Sequence, residues 1–293
     1  MVSLLNLRVD RAASLYLVNP ILRHKRLDDQ RLAIPMYHSV SETNEEGVHP
    51  YYRTAVSPKV FATQMRALHR GGYSVLSFND LIRSMDNHEA LPAKPIVLTF
   101  DDGLRDFWLN AFPVLQECGF TATVFLPTDY ISDVPRVFQG KECLTWSDVR
   151  ELAEHGVSFG SHTASHCQLR ALTRKQLEAE LDSSKRTMED KMGREVSVFS
   201  CPFAFPEHDR SFVKLLQQLL QELGYRRAVS TAIGTVDVHR GEYFLKRLPM
   251  NSVDDPPFFE AKLNGAYDWI HSVQYAVKVT KEKLFSWSTP DNM

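Results

Sequence analysis

The stretch "PIVLTFDDGLRDF" carries an apolar run, Ile96 to Phe100, straight into two adjacent carboxylates, Asp101 and Asp102. Like charges at the end of such a run repel each other unless a proton or a cation sits with them, and a divalent metal is the strongest local remedy. The stretch "SHTASH" sets His162 and His166 four positions apart, so that on a helical turn or a tight loop both rings reach a single ion. With Asp102 as a third ligand the set would be a tripod with open positions. That is the general form of a catalytic zinc site, in which the metal acidifies water and polarises a carbonyl. Asp101, left uncoordinated, would then take the proton from the water. Each motif also has a plainer reading: an Asp-Asp pair caps a turn or a helix, and an HxxxH is a solvated surface pair. The conjunction favours the metal, because an apolar strand candidate feeds each motif in turn.

These residues need a scaffold that gathers strand ends. Apolar runs of strand length alternate with longer segments of helical period, which predicts βα units around a parallel sheet. The strand candidates are "LAIPMY", "YSVLSF", Ile96 to Phe100, "TATVFL", "VSFGS", "VSVFS", "YRRAVS" and "YFLKRL"; about eight strands favour a barrel over an open sheet. Between them, Ser57 caps a helix with Pro58 at its first position, and a short helix starts near Asn79. Pro113 splits or kinks "LRDFWLNAFPVLQEC" before Gly119 ends it, and Thr145/Asp148 and Thr173/Gln176 read as capping boxes. The second box opens a longer helix with Leu177, Leu181, Met188 and Met192 near one face. In a barrel the loops leaving the strand C-termini share one face, and Asp101, Asp102, His162, Pro202 and Phe203 all follow strand candidates directly.

Composition bounds the rest. A chain of 293 residues with 43% hydrophobic and 24% charged residues fits one α/β barrel with an ordinary core. A net charge of -2 and the lack of a long Lys/Arg run argue against nucleic acid or anionic lipid as partner. Cys118, Cys143, Cys167 and Cys201 form neither a CxxC pair nor a dense framework, which predicts four reduced thiols. In "MVSLLNLRVDRAASLYLVNPILRHKR", Arg8, Asp10 and Arg11 interrupt the apolar residues, so neither a signal-peptide core nor a stable membrane span is expected. The expected organisation is an amphipathic arm over 1–30, a catalytic barrel over 31–272 and a tail over 273–293, in a cytoplasmic protein.

"LTFDDG", "GSHTASH" and the intervening "TATVFLPTDYIS" resemble the polysaccharide deacetylase, or NodB homology, domain of carbohydrate esterase family 4, over roughly residues 31–250. "IPMYHSV", "LTWSDVRELAEHGVSFGSH" and "FLKRLPM" are consistent with it. The resemblance implies a single-domain deformed (β/α) barrel and the metal-dependent hydrolysis of an N-acetyl group on a sugar. It implies one divalent ion, zinc by preference, held by Asp102, His162 and His166, with Asp101 as base.

Two positions depart from the family pattern. Where the third motif commonly has Arg, any residue, Pro and an aromatic, this chain has Ser200, Cys201, Pro202 and Phe203. Arg247 in "FLKRL" is either the replacement cation for the base or a surface ion-pairing residue. Where the last motif usually brings a general-acid His after a Leu, Pro249 and Met250 follow Leu248, leaving His38 as either the acid or a structural histidine at a strand end. The Phe203 N–H is placed to face an oxyanion, or its ring walls the site, with Pro202 beside it. Cys167 and Cys201 are read as small buried thiols beside a complete ligand set. The substrate expected is an N-acetylated sugar, from an oligo- or polysaccharide or a glycan precursor. The alternatives are hydrolysis of another C–N amide on the same fold, or a non-catalytic carbohydrate-binding relative.

Overall fold

Seven parallel strands close on themselves in strict chain order: β1 Pro35–Tyr37, β2 Thr99–Phe100, β3 Thr123–Leu126, β4 Ser158–Ser161, β5 Val198–Ser200, β6 Arg227–Ile233 and β7 Phe244–Pro249. β7 pairs with β1 through Leu248↔Pro35 and Pro249↔Met36, which completes the ring. This is a deformed (β/α) barrel, seen in a computed structural model that describes residues 8–24, 31–43 and 45–286. Residues 1–7 and 25–30 of the expected arm and 287–293 of the expected tail lie outside the described residues.

The strand count is one fewer than expected. In "YSVLSF", only Ser74–Val75 is extended, and it pairs with Pro95–Ile96 in a separate two-stranded sheet. The reason is local: Ser77 caps the next helix, its side chain accepting from the Asp80 N–H at 3.1 Å, so Phe78 already belongs to the helix Phe78–Asn87. Both expected capping boxes form, at Thr145/Asp148 and Thr173/Gln176, and Leu177, Leu181 and Met188 are buried along the second helix, Arg174–Met192. Around Pro113 the chain changes from a π-helical turn, Phe107–Ala111, to an α-helix, Phe112–Cys118. A proline lacks the N–H that a continuous α-helix would need there.

Inside the barrel the packing admits no side chain at Gly160 of β4, where a Cβ would fall 2.6 Å from the Phe125 ring and 2.7 Å from Val198. At the ends, a helical segment over Val9–His24 is tied to the C-terminal part of the chain by the Arg11–Asp255 ion pair, and Tyr267 donates to Asp10 at 2.8 Å, an aspartate that Arg8 also pairs locally. The helix Ile270–Ser286 runs through position 272, where a barrel–tail boundary was expected. Among the described residues no helix is long and apolar enough to cross a membrane.

Candidate active site

The C-terminal ends of β1, β2, β4, β5 and β7 open into a cavity of about 460 Å³ lined by His38, Asp101, Asp102, His162, His166 and Phe203, among others. Parallel pairing puts them there: Tyr37↔Phe100 is the last register pair of β1 and β2, so His38 and Asp101 are neighbours. A larger cavity of about 790 Å³ lies beside the N-terminal helical segment and contains none of these groups.

Asp102, His162 and His166 offer three ligand atoms within 4.8 Å of one another. His162 Nδ1 lies 2.8 Å from the Ser200 carbonyl, which can only accept, so the proton sits on Nδ1 and Nε2 carries a bare lone pair. That Nε2 lies 3.5 Å from Asp102 Oδ1, and His166 Nε2 lies 3.3 Å from the same oxygen. Asp102 Oδ1 is buried and has no hydrogen-bond partner. A buried carboxylate oxygen facing imidazole nitrogens with nothing between them is costly on its own and is relieved by a cation. The donor set, two imidazoles and a carboxylate, suits a divalent ion such as zinc. Burial favours neutral His162, yet the charges of Asp101 and Asp102 outweigh it and raise its proton affinity, so protons and metal compete for one nitrogen.

Asp101 is the opposite case. Arg247, fully buried, donates from its two terminal nitrogens to Asp101 Oδ1 at 2.8 Å and Oδ2 at 2.7 Å. Its remaining donors reach the Ser230 carbonyl at 3.0 Å, Thr99 Oγ1 at 3.4 Å and Ser200 Oγ at 3.0 Å, which satisfies the whole guanidinium. Of the two readings of Arg247, the cation beside the carboxylate is the one the fold realises. Ser200 stands where the family pattern commonly has Arg, and the guanidinium arrives from β7 instead. Burial pushes the Asp101 carboxyl up, but Arg247, helped by His162 and His38, outweighs this and holds it below the ordinary carboxylate range. His38 Nε2 lies 4.0 Å from Asp101 Oδ2, with its ring partly open to the cavity.

Backbone strain gathers here. Of the seven non-glycine residues with positive φ among those described, Asp102 (71°), Gln139 (48°), His166 (54°) and Phe203 (58°) line the cavity, and Thr163 (68°) lies between the two histidines. The histidine loop is held from outside by Glu180 of the helix Arg174–Met192. One of its oxygens accepts from the Ala164 and Ser165 N–H groups at 3.1 and 3.0 Å, and the other accepts from Ser165 Oγ at 2.8 Å. Sequence reasoning missed Glu180, which lies on a helix with no motif of its own, and missed the double use of Ser200 by His162 and Asp101.

Phe203 projects into the cavity, 46% exposed, with its ring 4.8 Å from that of His166. Pro202 does not line this cavity and faces an adjacent one of about 250 Å³. Cys201 is buried at the site, and Cys167 is half-buried.

Residues 88–228 match the family model for polysaccharide deacetylase. The chain is 28% identical over 237 residues to YxkH of Bacillus subtilis (strain 168), itself provisionally described as a polysaccharide deacetylase, covering 81% of this chain and 76% of that protein. It is 32% identical over 137 residues to the poly-β-1,6-N-acetyl-D-glucosamine N-deacetylase of Escherichia coli (strain K12), covering 43% of this chain and 20% of that protein. The structure of the Streptococcus pyogenes deacetylase PplD, in complex with acetate, superposes with a TM-score of 0.70 at 23% identity, over 80% of this chain and 99% of that one, and so shares the fold. Over residues 88–228 the chain thus matches a polysaccharide deacetylase domain, and over about four fifths of its length it shares the fold of solved deacetylases.

Proposed function

We propose that this protein is a metal-dependent hydrolase that removes the N-acetyl group from an N-acetylated sugar, releasing acetate and a free amine. The observation that carries the reading is the contrast between two adjacent buried carboxylates: Asp101 is fully paired by Arg247, whereas Asp102 Oδ1 has no partner but two imidazoles. Asp102, His162 and His166 would hold one divalent ion, which when bound supplies Lewis-acid polarisation of the acetyl carbonyl and acidification of water. Asp101 accepts the proton of the attacking water; its Oδ2 lies 4.0 Å from His38 Nε2, and both groups line the cavity. Arg247 keeps Asp101 ionised and fixed in plane, so it is a positioning residue. His38, on the same face, donates a proton to the departing amine. Phe203 walls the acetamido sugar, and its N–H is available for the oxyanion.

The Escherichia coli relative acts on a poly-N-acetylglucosamine, which supports an N-acetylated hexosamine as the reacting sugar here. The test is to supply metal-loaded protein with a panel of N-acetylated oligosaccharides and nucleotide sugars and to measure acetate. Release that depends on zinc, cobalt, nickel or manganese supports the proposal; no release from any member with any metal sinks it.

A further inference from the structure

One wall of the cavity is the loop between β1 and the helix Pro58–Arg70, whose tip, Tyr51, Tyr52 and Arg53, lines the site. The tip is anchored from several directions. Buried Asn251, just past β7, donates to the carbonyls of Pro50 at 2.9 Å and Arg53 at 3.4 Å. Glu45 accepts from the N–H groups of Thr54 at 3.1 Å and Ala55 at 3.0 Å, closing the base of the loop. Gln274 donates to the Tyr51 hydroxyl at 2.6 Å.

On this fixed backbone the Arg53 Nε donates to the Val48 carbonyl at 3.0 Å, which orients the guanidinium and leaves both terminal nitrogens without a partner among the described residues. Among the described residues Arg53 is also the only Lys or Arg lining the cavity, since Arg247, spent on Asp101, is not part of its lining. Most other arginines of the described chain are tied to a carboxylate, including Arg66, Arg83, Arg105, Arg226 and Arg240. A planar fork held at one nitrogen and open at the other two matches a carboxylate or phosphate group through two parallel hydrogen bonds.

We propose that Arg53 is a specificity-determining residue that pairs with an oxyanion on the glycan next to the reacting sugar, so that the substrate class is an acidic N-acetylated glycan. This rests on the deacetylase reading and deepens it. A net charge of -2 supplies no general attraction for polyanions, so the recognition is of one group at one position. Two chemistries share the geometry, a uronic acid carboxylate and a phosphate ester.

The experiment compares three oligosaccharides of equal length: a neutral oligomer of N-acetylglucosamine, one containing a uronic acid beside the N-acetyl sugar, and one carrying a phosphate there. Equilibrium binding is measured by calorimetry and acetate release by assay, for the parent, Arg53→Gln and Arg53→Lys proteins. The parent is expected to bind at least one acidic oligomer roughly tenfold to a hundredfold more tightly than the neutral one. That ratio should fall to about one in Arg53→Gln, survive in part in Arg53→Lys, and narrow at high salt. The arm with the larger ratio names the oxyanion. Equal binding of all three by the parent, no binding of any, or a preference unchanged in Arg53→Gln overturns the proposal. Acetate released from all three with no acidic preference removes the Arg53 inference alone, whereas an Arg53-dependent binding preference without acetate release removes the hydrolase reading alone.

Discussion

Asp101 and Asp102 are neighbours in sequence, 2% and 8% exposed, and yet their surroundings are opposites. Asp101 meets a guanidinium whose every donor is used, and the ion pair is complete within the protein. Asp102 meets two imidazole nitrogens at 3.3 and 3.5 Å and keeps a buried oxygen unpaired. A buried charge is tolerated where its partner is built in, and a site is left incomplete where a guest is to complete it. One carboxylate is thus paired within the protein, and the other is the one the proposed metal would complete.

The comparison breaks first at turnover. Asp101→Asn should keep its metal and lose turnover by about a hundredfold to ten-thousandfold, the usual contribution of a general base. Asp102→Asn should lose metal instead; equal loss of metal from both variants, by elemental analysis, would show that the two roles are not divided. His38→Ala should lower kcat on a similar scale with metal content intact. A parent-like rate across the pH range would make His38 structural.

Next in size is stability. Arg247→Met strands a buried Asp101 carboxylate, which should cost about 3–5 kcal/mol in denaturant unfolding. Combining it with Asp101→Asn should recover much of that loss, because neither charge is then left alone. Additive losses would contradict a closed pair. A smaller effect is expected at Glu180, which holds the loop between His162 and His166: if these bind the proposed metal, Glu180→Ala should weaken its binding by about tenfold to a hundredfold in a chelator competition, the scale of a lost supporting partner. Unchanged affinity would mean the loop keeps its shape without the clamp.

The smallest effect is the pH dependence of the paired side. The folded-state pKa of Asp101 lies below its unfolded value, so its stabilisation is present above the unfolded pKa of about 3.9 and is lost as pH falls through the folded value. The stability advantage of the parent over Asp101→Asn should therefore be level from neutral pH to about pH 4 and shrink below it. An advantage that grows on acidification would reverse the assignment.

How much of this could be read from the residues depended on range. Asp101, Asp102 and the histidine pair were legible because each follows an apolar run directly, and parallel strands carry whatever follows them to one face. The barrel was legible for the same reason, though Ser74–Val75 was miscounted, since a two-residue extension before a capped helix looks like a strand until its pairing is known. Arg247 stood undecided between surface and site because only closure of β7 onto β1 buries it. Pro202 lines the adjacent cavity rather than the one that holds Asp101 and the histidines, a distinction of a single residue that spacing along the chain does not carry. Glu180 and the loop tip at Arg53 gave no signal, since their roles rest on hydrogen bonds to distant backbone, which leave no period or spacing in the chain.

The strict chain order of the barrel has a consequence for its synthesis. Asp101 and Arg247 are 146 positions apart, and β7 is the last strand to be made and the one that seals the ring. On a ribosome, where chains emerge from the N-terminus, the carboxylate that follows β2 exists long before its guanidinium partner, with only the weaker help of His38 and, later, His162 until the closing strand arrives. A nascent or shortened chain that stops before β7 therefore lacks both the seam and the charge that lets Asp101 be buried. The same pair that holds Asp101 ionised makes a committed barrel conditional on a finished one, and a protease challenge of nascent chains of increasing length should find protection appearing only when β7 is present.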